Sequence, residues 1–223
     1  MLVLEDLLID NLKIYQDDTL YRFTSDAVIL SKFAKGKKGD IVADFCSGSG
    51  IVGIHFYALN KHVSHVDLIE IQPELSNLSK MSVEYNNLSD KFNVINMPLQ
   101  ELSKEYNAKY SLILCNPPYK KQGSGECSEK DKIAMCKHEI TITQDEIIEI
   151  ASKKLQPLGR LCMCQKVERL VEIITKMKEC GLEPKTIQFV VNTSNNPYLV
   201  LVEGVKHAKP QLKVLPNFVN EGV

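Results

Sequence analysis

The sequence predicts an α/β fold: a mainly parallel seven-stranded sheet with an antiparallel last strand and helices on both faces. Three observations carry this. Apolar strand-like runs alternate with segments of helical spacing through the middle of the chain. A glycine turn, Ser47-Gly48-Ser49-Gly50, joins the first of these runs to a helix. Near the end, two strand-like runs are separated only by a short link containing Asn195-Asn196-Pro197, which suits an antiparallel hairpin closing a parallel sheet.

The elements follow in order. Residues 1–36 form an N-terminal element ahead of the sheet, with Ser25 read as the N-cap of a helix that ends before Gly36. Ile41 to Phe45 is the first core strand, and the helix after the glycine turn covers about Ile51 to Leu59. His65 to Ile71 is the second strand. Pro73 opens the next helix, where a missing N–H costs nothing, and Leu75, Leu78 and Met81 recur at helical spacing. Phe92 to Ile95 is the third strand. The fourth is Leu112 to Cys115, inside an apolar run that begins at Tyr110. A helix over about Gln144 to Lys154 leads through the turn Pro157-Leu158-Gly159 into a fifth strand, Arg160 to Gln165. A helix over Val167 to Cys180, with Gly181 as its C-cap, precedes the last two strands, Thr186 to Asn192 and Tyr198 to Glu203. Residues 37–210 thus form the main domain. Residues 211–223, with Pro216, read as an extended tail.

Bulk properties narrow the classes. The chain has 223 residues, 44% hydrophobic and 25% charged, with no Trp, which fits one globular domain with a sizeable core. The formal net charge of -1 does not point to nucleic acid, so any such binding must use a local patch. The N-terminus lacks a cleavable signal pattern, and no apolar run has the length of a membrane span. The seven cysteines are odd in number, include no CxxC pair, and lie partly in apolar runs. A reduced, cytoplasmic protein without a zinc site is expected. Cys162 and Cys164 share one face of their strand and read as buried thiols.

Two motifs carry chemistry. Asn116-Pro117-Pro118-Tyr119 ends the fourth strand. Each proline removes a backbone donor, and the residue before a proline is pushed to an extended conformation. The turn therefore offers an Asn amide and bare carbonyl oxygens beside an aromatic face, an acceptor pocket for a planar NH2 group. The second motif is Asp44-Phe45-Cys46-Ser47-Gly48-Ser49-Gly50, a glycine turn feeding a helix N-terminus. With Cys46 where its first glycine would stand and Gly53 late for its last, the strict dinucleotide fingerprint G-x-G-x-x-G is read as absent. A carboxylate at Asp44 would repel a pyrophosphate but suits a cationic amine or sulfonium, which favours S-adenosylmethionine over NAD. Glu70 ends the next strand, roughly 20 residues past the turn, where an acidic side chain is placed for a ribose hydroxyl pair.

On these residues the chain resembles the Rossmann-like class I S-adenosylmethionine-dependent methyltransferases. Within them it is similar to the group with Asn-Pro-Pro-Tyr after the fourth strand, which methylates planar nitrogens. Three further stretches resemble the tRNA(Val) adenine-N6 methyltransferase family, which modifies the adenine 3′ to the anticodon, position 37. They are Tyr21 to Leu30, Lys137-His138-Glu139-Ile140-Thr141, and Tyr198 to Gly204. The resemblance implies S-adenosylmethionine as cofactor and tRNA as partner. It places Asp44, Ser47, Gly48 and Gly50 at the methionine end of the cofactor, Glu70 on the ribose and Ile71 against the adenine. Related enzymes often carry an acidic residue after the third strand; here Met97-Pro98-Leu99 stands there, and Leu99 is left as an apolar wall. Thr24 and Asp26 belong to the segment expected to cover the cofactor. Asn116, Pro117, Pro118 and Tyr119 are the expected catalytic set, with Asn116 also near the cofactor. Lys120, Lys121, Lys130, Lys132 and Lys137 flank the motif and suit phosphate contacts, although acidic residues are interspersed. The same pocket accepts the glutamine amide of a peptide-release factor, though enzymes of that kind usually have a longer helical N-terminal domain. A base of ribosomal RNA or DNA fits as well, and a non-catalytic RNA-binding role is the alternative of a different class.

Overall fold

The computed structural model describes residues 1–20, 22–117 and 142–221. An N-terminal hairpin pairs β1 (Leu2–Asp6) with β2 (Lys13–Asp17). It leads to α1 (Ser25–Phe33). The sheet then begins with β3 (Ile41–Phe45), α2 (Ile51–Leu59), β4 (His65–Glu70), α3 (Pro73–Tyr85) and β5 (Phe92–Asn96). It continues with β6 (Tyr110–Cys115), α4 (Gln144–Lys154), β7 (Leu155–Lys166), α5 (Leu170–Glu179), β8 (Leu182–Val191) and β9 (Pro197–Lys206). Two short strands, β10 (Lys213–Val214) and β11 (Phe218–Val219), complete the described chain.

The strand order is β8-β9-β7-β6-β3-β4-β5, with β10 and β11 on the outer edge of β8. Strands β3 to β7 run parallel to their neighbours among themselves, whereas β9 is antiparallel to both β7 and β8. This is the expected parallel sheet closed by a hairpin. From β3 the chain winds outward to β4 and β5, then crosses back to place β6 on the other side of β3. The winding reverses between β3 and β6, and ligands of open α/β sheets bind at the carboxyl ends of the strands at such a switch point.

Both faces of the sheet are covered, so its strands read as nearly continuous apolar runs. The two-residue alternation sorts their side chains. Val42, Leu112, Leu114, Cys162 and Cys164 join Leu30 of α1 and Ile54 and Phe56 of α2 in one cluster. Ala43, Phe45, Ile113, Leu161 and Met163 join Ile147 and Ile148 of α4 and Ile173 and Met177 of α5 in the other. Helix α2 is buried on nearly every side. No described helix is long and apolar enough to cross a membrane.

Several local readings differ from the structure, including the start of β8, which is Leu182 rather than Thr186, and the tail, whose β10 and β11 pair with β8. The N-cap of α1 is Thr24, and Ser25 is the first helical residue. Strand β7 starts at Leu155 rather than Arg160: Leu158 takes φ +62, and the register against β6 jumps between Tyr110 and Leu112. The Pro157-Leu158-Gly159 turn is thus an irregularity inside the strand, of the kind that bulges create. The segment after β7 opens with a 3-10 turn over Val167–Arg169 before α5 begins.

Candidate cofactor and substrate site

Strand β3 delivers the chain into the glycine turn with Asp44 as its penultimate residue. Cys46 adopts φ +58, Gly48 φ +57 and Gly50 φ +88, a left-handed run that folds the turn back. Gly50 N–H donates to the Ser47 carbonyl at 2.8 Å, and Ser47 N–H donates to the Ile69 carbonyl at 3.1 Å. Counted from Gly48, the residues Gly48, Gly50 and Gly53 do carry the spacing G-x-G-x-x-G. A fingerprint aligned on Cys46 misses it. The third glycine serves close packing of helix on strand, because a Cβ at Gly53 would collide with the Leu68 side chain of β4.

Gly53 also orients Asp44. Its N–H donates to Asp44 Oδ2 at 2.9 Å. The carboxylate is fully buried, and its other oxygen, Oδ1, has no hydrogen-bond partner among the described residues. Burial pushes the Asp44 carboxyl up to about 8; the Gly53 N–H opposes this, and the charge of Glu70 adds to it. Glu70, buried at the end of β4, accepts from Gly48 N–H at 2.8 Å and from Gln72 N–H at 2.9 Å. Its carboxylate therefore ties the glycine turn to the loop after β4. Asn96, at the end of β5, donates through Nδ2 to the carbonyls of Glu70 at 2.8 Å and Ile71 at 3.0 Å, which fixes that loop. Ile71 is half-buried. Leu99 packs into the core with Ile69 and Ile95.

On the other side of the switch point, Cys115 ends β6 in register with Phe45 of β3 and Met163 of β7. Asn116 follows, half-buried, and Pro117 is buried. The two halves of the site thus leave adjacent parallel strands at the same end. Pro118, Tyr119, the lysines from Lys120 to Lys137, and the His138-Glu139 pair lie outside the described residues, as does Tyr21.

The N-terminal hairpin reaches the glycine turn directly. Gln16 of β2, only 1% exposed, donates through Nε2 to Ser49 Oγ and to the Tyr15 carbonyl, and its Oε1 accepts from Phe23 N–H at 3.3 Å. Strand β2 is itself held on α3 by Tyr15 N–H to Ser82 Oγ and Lys13 N–H to Asn86 Oδ1, both at 2.9 Å. The segment that begins α1 is therefore tied to the turn just before Thr24, which is exposed, and Asp26, which is half-buried. The sequence reading did not single out Gln16: a glutamine in a half-polar strand carries no local signal of a partner 33 residues away.

Among the described residues, the buried side-chain polar atoms that lack a partner are Asp44 Oδ1, Ser47 Oγ, both amide atoms of Gln144, and Gln165 Nε2. They sit at the end of β3, in the glycine turn, at the start of α4 and near the end of β7. All four places are at the carboxyl end of the sheet. Buried polar groups are normally satisfied, so each exception needs a reason. A carboxylate oxygen and a hydroxyl left unpaired at a turn of backbone N–H groups fit a cationic amino-acid end of a cofactor.

Residues 24–192 match the profile of the methyltransferase small domain family. The chain belongs to that family. Among curated relatives of this methyltransferase is the tRNA1(Val) (adenine(37)-N6)-methyltransferase of Histophilus somni, 21% identical over 76% of this chain and 70% of that protein. The enzyme of the same name from Shewanella baltica (strain OS155) is 22% identical over 85% of this chain and 80% of that protein. Among solved structures, a predicted O-methyltransferase from Agrobacterium tumefaciens shares the fold with a TM-score of 0.66 at 17% identity, covering 87% of this chain and 86% of that one. The TYW2 protein of M. jannaschii in complex with AdoMet gives a TM-score of 0.63 at 12% identity, covering 92% of this chain and 85% of that one.

Proposed function

We propose that this methyltransferase transfers the methyl group of S-adenosylmethionine to the N6 amine of an adenine in tRNA, the position named for its relatives being adenine 37. The observation that carries the reading is the pair of features at the switch point: the partnerless, fully buried Asp44 Oδ1 beside a glycine turn, and Asn116-Pro117 leaving the adjacent strand at the same end. The donor supplies an electrophilic methyl on a sulfonium. Asp44, Ser47, Gly48 and Gly50 would hold its methionine end, Glu70 its ribose and Ile71 its adenine. The N-terminal element, residues 1–36, would close over it with Thr24 and Asp26, on a main domain of residues 37–210 that ends in the tail 211–223.

The lone pair of an adenine amine is delocalised into the ring, which makes the amine a weak nucleophile. The Asn116 side-chain oxygen and the Pro117 carbonyl would accept its two N–H groups and favour the pyramidal form. Pro118 brings no N–H to compete for those acceptors. Tyr119 would stack on the base and align it with the methyl. As the N–C bond forms the S–C bond breaks, and the amine proton leaves to solvent afterwards, so no dedicated base is needed. Catalysis then rests on positioning and on aimed dipoles. An anticodon loop is single-stranded and offers an extruded base cheaply. The lysines from Lys120 to Lys137 would grip phosphates beside the entry and make binding salt-sensitive.

The test is Asn116→Ala. Methyl transfer to tRNA, followed with tritiated donor, is expected to fall by about 100-fold or more, while calorimetric affinity for S-adenosylmethionine is retained. Near wild-type transfer by the variant overturns the role of Asn116. Mass spectrometry of digested tRNA identifies the product. If N6-methyladenosine is absent while a release-factor glutamine becomes methylated, the substrate is the amide instead.

A further inference from the structure

Gln165 lies near the carboxyl end of β7 and is 1% exposed. Its Oε1 accepts from Lys166 N–H at 3.0 Å, so the carboxamide is drawn toward the strand's end rather than its middle. Its Nε2 has no hydrogen-bond partner among the described residues. The parallel register of β6 and β7 pairs Cys115 with Met163. Two residues further along each strand stand Pro117 and Gln165. By strand alternation Gln165 shares the face of Leu161 and Met163, which pack against α4 and α5. Gln144, the first residue of α4, has a buried carboxamide with no hydrogen-bond partner among the described residues. Because α4 runs back toward the start of β7, Gln144 belongs to the same end of the sheet and the same face.

Of the amide's two ends only Oε1 has a partner among the described residues, the N–H of exposed Lys166, which water serves as well; nothing in the packing asks for the Nε2 donor. Its strand neighbours are Leu161, Cys162, Met163 and Cys164, all buried, and a leucine or methionine would fill a comparable volume without leaving a donor unpaired. A buried donor without a partner among the described residues, at the register step of Pro117, points to a ligand that completes it.

Resting on the substrate reading above, we infer that Gln165 reads the target base: its Nε2 donates to the ring nitrogen acceptor beside the methylated amine. An adenine presents an N–H donor and a ring acceptor side by side. Asn116 and Pro117 take the donor, and Gln165 serves the acceptor. Glutamine matches adenine's donor–acceptor pattern in other settings for the same reason. A 6-keto purine carries a ring N–H where adenine carries an acceptor, and would face Gln165 donor to donor.

The experiment compares wild type with Gln165→Leu and Gln165→Met on bulk tRNA. Three quantities are read: kcat/KM for tRNA, the Kd for S-adenosylmethionine, and the thermal midpoint without substrate. Both variants are expected to lose about tenfold or more in kcat/KM. The cofactor Kd should stay unchanged within a factor of two, and the midpoint should be equal or higher, because an unpaired donor has been removed. Wild-type kcat/KM in both variants overturns the inference. So does a loss of activity that comes with a lowered midpoint or weakened cofactor binding in both, since that marks a structural role. If the wild-type protein itself leaves tRNA unmethylated, the substrate reading fails and this inference with it.

Discussion

Asp44→Asn is the most discriminating single change. In the free protein Asp44 is fully buried, with one oxygen on Gly53 N–H and the other unpaired, and its carboxyl is pushed from 3.8 up to about 8. A tenfold change in proton affinity corresponds to about 1.4 kcal/mol, so the difference from an exposed carboxyl amounts to on the order of 5 kcal/mol once the pH passes 8. A carboxyl whose folded-state value lies above its unfolded value stabilises the fold relative to its own ionised form only at low pH. That advantage is complete below pH 3.8 and is lost as the pH rises to about 8. The free enzyme is therefore penalised increasingly between pH 4 and pH 8. Asp44→Asn keeps the shape and the acceptor toward Gly53 N–H but has no proton to lose. Urea unfolding of the free proteins should show the variant gaining on the wild type by several kcal/mol between about pH 4 and pH 8. The same variant should bind S-adenosylmethionine at least about tenfold more weakly at pH 8, because the charge that would face the cationic end is gone. A stability difference that stays flat across this pH range would refute the electrostatic argument. Unchanged cofactor affinity would refute the placement of the donor.

Two further outcomes follow from the turn itself. Gly50→Ala should destabilise the fold by about 1–3 kcal/mol in urea unfolding, because Gly50 holds φ +88 and a new Cβ would lie 3.0 Å from Leu68 Cδ1 and 3.2 Å from Ser79 Oγ; unaltered stability would contradict the strain. Gln16→Ala removes the bonds to Ser49 and Phe23, so the KM for S-adenosylmethionine should rise about tenfold with kcat at saturation little changed, and an unchanged KM would separate the hairpin from the cofactor turn.

The sheet was legible because its elements are marked at both ends. Strand β3 is an apolar run stopped by a glycine turn, α2 an apolar helix that starts at Gly50, and α4 a helix with charged ends and a regular apolar face. What escaped reading depends on distant contacts. Strands β1 and β2 are short and only partly buried, and they are held by Ser82 and Asn86 of α3, far along the chain. Strand β7 reads short in the sequence because Pro157 and Gly159 look like a break, while Leu158 in a left-handed conformation lets pairing resume. In the site, Asp44, Gly48, Gly50, Glu70 and Asn116 stood out through motif spacing. Gln16 and Gln165 did not, since one is defined by a bond across 33 residues and the other by the absence of a bond.

The outer edge of β8 carries one last consequence. Lys213–Val214 and Phe218–Val219 pair with it in two short parallel stretches, and between them Gln188 Nε2 donates to the Pro216 carbonyl. Beyond them Asn220 donates to Ser25 Oγ at the start of α1 and to the Tyr198 hydroxyl. An edge strand left bare is a template for pairing with other chains. The two short stretches cover this edge, so that it is not offered to other chains, and through Asn220 the same C-terminal segment braces the start of α1, next to Thr24 and Asp26.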